Sequence, residues 1–268
     1  MPVRRREGMA AWNALYFRNG EFKPDSTKSA EWNRGAYLVE GLGHCGACHT
    51  PKSTLGGDDR GRTFQGYALQ GWFAPNITND SERGLGGWSI ADIVCYLKNG
   101  HTMTTASTGI MAEEITLSSS HMTDADLTAI ATFLKDQPGQ TASPPPAVSA
   151  SDPRMAAGGA IYVDECSACH GMDGKGVSFL FPSLAGSPNV RSADPASLIR
   201  VLIEGARSVA TAGEPTGPGM PSFAWKLSDD QAAAVLTYIR NAWGASAPAV
   251  DPGQVAQARA RAAMASGR

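Results

Sequence analysis

Apolar positions recur at helical spacing through most of this chain, separated by long stretches rich in Gly, Pro and Asn. From Glu31 an amphipathic run, Trp32 to Leu42, predicts a short helix leading into a cysteine-bearing turn. Residues 50–87 carry Gly, Asn and Pro in the manner of wrapped loops. Ile90, Ile93, Val94 and Leu97 then share one helical face and predict a helix over Ser89–Lys98. Thr123 is the N-cap candidate of another helix running to Lys135, with Asp126 three positions on in capping-box fashion. Residues 137–153 are Pro- and Ser-rich and read as a linker. The order then repeats. A helix from about Arg154 leads to a second cysteine turn, loops fill 171–193, and a helix spans roughly Pro195–Glu204. A Gly/Pro-rich loop follows at 211–221, and a last helix opens at Ser228 and runs to about Trp243. The Ala/Arg-rich end, 246–268, is expected to be disordered or a surface helix.

No stretch of about 20 apolar residues is present, so no membrane-spanning helix is expected. The 268 residues suffice for two domains of ordinary size. The net charge is −2, and no basic run is long enough to form a phosphate-binding stripe, which argues against nucleic acid as a partner. The start, Met1 to Arg6, is charged but has no apolar segment behind it, so no secretory signal is expected within these residues.

The chemistry lies in the two turns. Cys45-Gly46-Ala47-Cys48-His49 and Cys166-Ser167-Ala168-Cys169-His170 both read Cys-x-x-Cys-His, the attachment signature of a covalent c-type haem. The two thiols of each turn bond to the porphyrin edge, and the adjacent imidazole emerges under the ring to ligate iron. A redox disulfide or half of a zinc site is the competing reading of Cys-x-x-Cys. A His directly after the second Cys, twice in one chain, is not zinc spacing. Two haems also suit the composition, 7% aromatic with 30 glycines, because each porphyrin adds a large apolar plate to a small domain. Cys95 is left over and is expected to be a buried free thiol.

The second axial ligand sets what such irons do. A Met thioether closes the iron and raises its potential, favouring electron transfer over binding of oxygen or peroxide. In the second half Met220, in a loop before the last helix, is the candidate, because Met172 is too close to His170 to reach the opposite face. In the first half Met111 is favoured, in a loop between two helices. Met103, Met122, His101 and His121 remain alternatives, with Met122 expected to pack and the two histidines expected on the surface or in loops.

The run RGAYLVEGLGHCGACHTP at 34–51 resembles the cytochrome c subunits of membrane-associated bacterial alcohol, gluconate and sugar dehydrogenases. So do APNIT at 74–78, GLGGWS at 84–89 and ADLTAIA at 125–131. MPSFAWKLSD at 220–229 is similar to the last haem domain of that group. The resemblance covers nearly all of 10–244. That family usually carries three haem domains; this chain resembles the second and third, and WNALYF at 12–17 looks like the connector after the first. The chain is then either a two-haem relative or a piece of a longer one. The resemblance implies that the carbonyls of Pro75 and Pro182 accept the Nδ1–H bonds of the proximal histidines. Alongside it, Gly35 and Gly158 read as sites of close packing of the first helix on the last, and Trp72, Trp88 and Trp225 as haem-pocket packing.

The expected fold is mainly α, two tandem class I cytochrome c domains joined by a Pro-rich linker. The expected boundaries are a connector over 1–30, domains over 31–137 and 154–245, a linker over 138–153 and a tail over 246–268. The expected cofactors are two covalent haem c groups on Cys45, Cys48, Cys166 and Cys169, with His49, Met111, His170 and Met220 on iron. The expected role is electron transfer from a dehydrogenase catalytic subunit to a quinone, terminal oxidase or other cytochrome. The expected location is the periplasm, peripheral to the inner membrane. The rivals are a two-haem enzyme of peroxidase or thiosulfate dehydrogenase type and a free soluble shuttle.

Overall fold

A computed structural model describes residues 6–139, 143, 145–212 and 215–266. The connector contains a helix, α1 (Arg6–Tyr16), laid over the loop that follows the first cysteine turn. Trp12 Nε1 donates to the Leu55 carbonyl at 3.1 Å, and the Tyr16 hydroxyl meets Ser53 Oγ at 2.8 Å. Helix α2 (Ala30–Tyr37) begins where Ser29 Oγ accepts the Trp32 N–H, and it loosens into a π-helical turn at Leu38–Leu42. The cysteine turn forms α3 (Gly46–His49). Within the expected loops lies a hairpin, β1 (Tyr67–Leu69) paired antiparallel with β2 (Trp72–Ala74). Its two-residue turn, Gln70 and Gly71, has positive φ at both positions, the geometry that matches strand twist. Three-residue strands carry too little alternation to show in sequence.

Helices α4 (Ile90–Asn99), α5 (Gly109–Leu117) and α6 (Asp124–Lys135) complete the first domain. Ser89 and Asp92 form a full capping box on α4. On α6 only half of the expected box exists. Thr123 Oγ1 accepts the Asp126 N–H, but the Asp126 carboxylate is taken by Arg34 in a two-pronged pair at 2.7 and 3.1 Å. Helix α2 crosses α6 where a Cβ on Gly35 would lie 2.0 Å from the Ala129 carbonyl oxygen. Leu38, Val39, Leu127, Phe133 and Leu134 form the core around that crossing.

The second domain repeats the plan with α7 (Pro153–Glu165), the cysteine turn α8 (Ser167–His170), α9 (Pro188–Arg191) and α10 (Ala196–Glu204). A short pair, β3 (Ala206–Arg207) and β4 (Gly219–Met220), precedes α11 (Asp229–Ile239). Here α7 crosses α11, with Gly158 against the Ala234 carbonyl in the same relation, 2.2 Å for an added Cβ. Helix α11 ends at Ile239, before the expected Trp243; Trp243 turns back at φ 50° and packs on Tyr162 and Tyr238. The tail is ordered through α12 (Pro252–Ser266), which packs on α10 and α11 and fully buries Val250 and Val255. Arg259 anchors it by donating to Asp229 and to the carbonyls of Ala224 and Leu227. Of the two expected forms, disorder or a surface helix, the tail takes the helix, because two valines and one multiply bonded arginine seat it. Part of the linker, 140–142 and 144, and the extreme residues of both ends lie outside the described residues.

The domains share a seam. Phe179 N–H donates to Met103 O at 3.3 Å and Ser183 N–H to Thr104 O at 2.8 Å. His101 is 2% exposed, and its Nε2 meets the Val209 carbonyl at 3.2 Å across the seam. It is a loop histidine, as one of the two expected forms had it, but buried in the seam rather than on the surface. Arg191 pairs with Glu82 at 2.8 Å, and Ser197 brackets Phe73.

Candidate haem centres

Each cysteine turn is a single helical turn closed by a backbone bond from the His to the first Cys: His49 N–H to Cys45 O and His170 N–H to Cys166 O, both 3.0 Å. This puts two thiols and one imidazole on one short, rigid piece. The carbonyl of each His is itself held, by Gly66 N–H and Gly176 N–H, both at 2.8 Å. His49 Nδ1 lies 2.7 Å from the Pro75 carbonyl and His170 Nδ1 lies 2.9 Å from the Pro182 carbonyl. A carbonyl only accepts, so Nδ1 carries the proton in both rings. Nε2 is left as the nitrogen available to a metal. Burial holds both imidazoles below the usual histidine range, with the proline carbonyls opposing that shift. The neutral, metal-binding form is therefore favoured.

The first thiol of each turn is shielded from water. Burial pushes Cys45 and Cys166 up to about 11. Disulfide-exchange cysteines are tuned the other way, toward thiolate. Among the described residues no three His, Cys, Asp or Glu side chains gather as a metal-binding group, so the two Cys-x-x-Cys pairs do not combine into a zinc site. Two thiols plus one backbone-oriented imidazole on a turn fit covalent haem, with iron on Nε2.

The remaining candidates separate by what they already touch. Met122 packs into the first core, and its carbonyl takes the Lys98 ammonium at 2.7 Å. Met103 is 57% exposed at the seam. His121 is exposed, its Nε2 paired with Thr116 O. The buried His101 has its Nε2 on Val209 O. Met111 is half-buried and sits in the first turn of α5, not in the loop expected. Glu114 follows it by three positions, so the two share a helix face. The Glu114 carboxylate adds, after burial, to the rise of the Cys45 thiol. Met220, expected in a loop, ends strand β4 and packs on the second core, which includes Cys166. Met172 is 64% exposed. Cys95 is half-buried with its thiol donating to His101 O at 3.3 Å. Trp225 is 81% exposed, Trp88 stacks edge-on against Tyr96, and Trp72 is packed at the seam.

Two such turns, one per helical domain, define a protein built to hold two covalently tethered redox groups. The chain belongs to the cytochrome c family, whose model matches residues 33–138 and again 155–243. It is similar to the gluconate 2-dehydrogenase cytochrome c subunit of Pantoea cypripedii, 37% identical over 92% of this chain and 60% of that protein. It is similar to the cytochrome c subunit of the quinone alcohol dehydrogenase of Gluconobacter oxydans, at 36% over 92% and 55%. The fructose dehydrogenase cytochrome subunit of Gluconobacter japonicus matches at 33% over 97% and 58%. The chain thus spans somewhat more than half the length of these curated relatives. As a cytochrome c with two matched domains, it carries two covalently bound haem c groups. No helix among the described residues is long and apolar enough to cross a membrane.

Proposed function

We propose that this chain is a two-haem electron-transfer subunit, carrying electrons from a dehydrogenase catalytic subunit to a quinone, a terminal oxidase or another cytochrome. The carrying observation is the orientation of both imidazoles, each with Nδ1–H committed to a proline carbonyl, repeated in two domains. The names of the relatives supply the partner class. Domains over 31–137 and 154–245 flank the linker, after the connector over 1–30 and before the tail over 246–268. Each haem supplies a reversible one-electron couple. Cys45 and Cys48, and Cys166 and Cys169, tether the two groups. His49 and Met111 ligate the first iron, His170 and Met220 the second. The Pro75 and Pro182 carbonyls fix the ring planes and raise imidazole basicity. The Met111 and Met220 thioethers would complete the ligand sets of the two irons and favour raised potentials. The protein works in the periplasm at the face of the inner membrane, since thioether attachment of haem c takes place outside the cytoplasm.

Gentle purification from the native host, with mass spectrometry of what co-elutes, tests this reading. A stoichiometric dehydrogenase subunit supports it. A lone protein whose reduced form binds carbon monoxide stoichiometrically at one haem sinks it in favour of a two-haem enzyme. A lone protein that ignores carbon monoxide is a free shuttle and overturns the partner.

A further inference from the structure

Trp72 stands between the domains. Its indole is capped by the Arg200 guanidinium of α10, 4.6 Å from the ring centroid, close enough for cation–π attraction. Arg200 is itself fixed: Nε donates to Glu204 at 2.9 Å and Nη1 to the Gln70 carbonyl at 3.0 Å. Three residues earlier on α10, Ser197 Oγ accepts the Phe73 N–H at 2.8 Å and donates to the Phe73 carbonyl at 3.1 Å. The second domain thus grips the strand that carries Trp72. The indole also lies hard against Gly109, the first residue of α5. A Cβ on Gly109 would meet three ring atoms at 2.5 to 2.7 Å, and its φ of +61° suits glycine. Met111 follows two residues later.

We propose that Trp72 is a positioning residue for the first haem, holding the start of α5 so that Met111 stays on iron, and that the second domain sets Trp72 through Arg200 and Ser197. This rests on the reading of Met111 as the axial ligand. A neutral thioether is a weak ligand whose occupancy depends on how firmly the backbone presents it. Here that backbone is braced by one aromatic ring, and the ring by a charge from the other domain. Axial ligation of the first iron is therefore coupled to docking of the two domains.

The test uses the full chain with both haems loaded, in wild type, Trp72→Ala, Arg200→Ala, Arg200→Lys, Met111→Ala and Met220→Ala. The readouts are the charge-transfer band of Met-ligated ferric haem and the two waves of a potentiometric titration. Trp72→Ala and Arg200→Ala are expected to remove up to half of the band and to lower the same wave that Met111→Ala lowers, leaving the Met220→Ala wave in place. Arg200→Lys, which keeps the charge, is expected to recover part of the band. If Trp72→Ala does not load haem, Arg200→Ala decides alone, because Arg200 belongs to neither apolar core. A full band with unmoved waves in both Arg200→Ala and any loaded Trp72→Ala overturns the proposal, as does equal loss at both haems. A full band in Met111→Ala refutes the axial reading itself, whatever the Trp72 variants do.

Discussion

At residue scale, His49 and His170 are held by the same means: one ring nitrogen is spent on a proline carbonyl, which leaves the other for the iron of the proposed ligation. His49→Ala removes that donor without disturbing the thiols. It is expected to yield protein with about half the normal covalent haem or a misligated first haem, read by haem staining and visible spectra; a fully loaded, spectroscopically normal protein would contradict the assignment. Met220→Ala is expected to open or re-ligate the second iron and to lower one potential, with carbon monoxide now binding one haem per chain. An unchanged potentiometric titration removes Met220 from the site. The two Cys-x-x-Cys-His turns were legible in sequence because thiols and imidazole lie within one turn of each other. The choice among Met103, Met111 and Met122 was not. The structure shows what each already touches: Met122 is packed on the first core, Met103 is 57% exposed, and Met111 is half-buried in the first turn of α5.

At the scale of elements, both domains rest on a first helix crossing a last helix at a glycine. A Cβ at Gly35 or Gly158 would fall 2.0 or 2.2 Å from a backbone carbonyl oxygen, and backbone cannot swing aside as a side-chain tip can. Gly35→Ala and Gly158→Ala are each expected to lower stability by about 1–3 kcal/mol or more, as overpacking does. Denaturant unfolding of the haem-loaded protein reads it; a loss under about 0.5 kcal/mol would mean the crossing relaxes at little cost. The long helices were visible because four apolar residues at helical spacing and a Ser or Thr cap are local signals. The hairpin at 67–74 and the seating of α12 were not. Three-residue strands have no period to read, and an Ala/Arg-rich helix shows its partner only when Val250 and Val255 are seen fully buried. Val255→Asp is expected to detach α12 and to cost roughly 3–5 kcal/mol as an uncompensated buried charge, measured as a fall in the melting temperature of the second domain.

At the scale of the whole molecule, the seam makes two haem domains into one body. Its exposed ion pair, Arg191 with Glu82, contributes little: Glu82→Ala is expected to cost no more than about 1 kcal/mol. Its apolar centre matters more. Gly100 caps α4 at φ +80°, and a Cβ there would lie 2.0 Å from Val209 of the other domain. Gly100→Ala is expected to loosen the docking while both domains stay folded. Small-angle scattering would show a larger radius of gyration, and limited proteolysis would cut the 138–153 segment faster; an unchanged radius with unchanged cleavage would show that the seam absorbs the methyl.

The amino-acid order alone determined the cofactor, its number and the helical class, because each depends on residues within one turn or one helix of each other. Tertiary structure decided which carbonyl each imidazole meets and how one domain leans on the other. Those are contacts between residues far apart in the chain. His49 and Pro75, His170 and Pro182, Trp72 and Arg200 meet only where packed backbones bring them, and no local pattern encodes a distance between them.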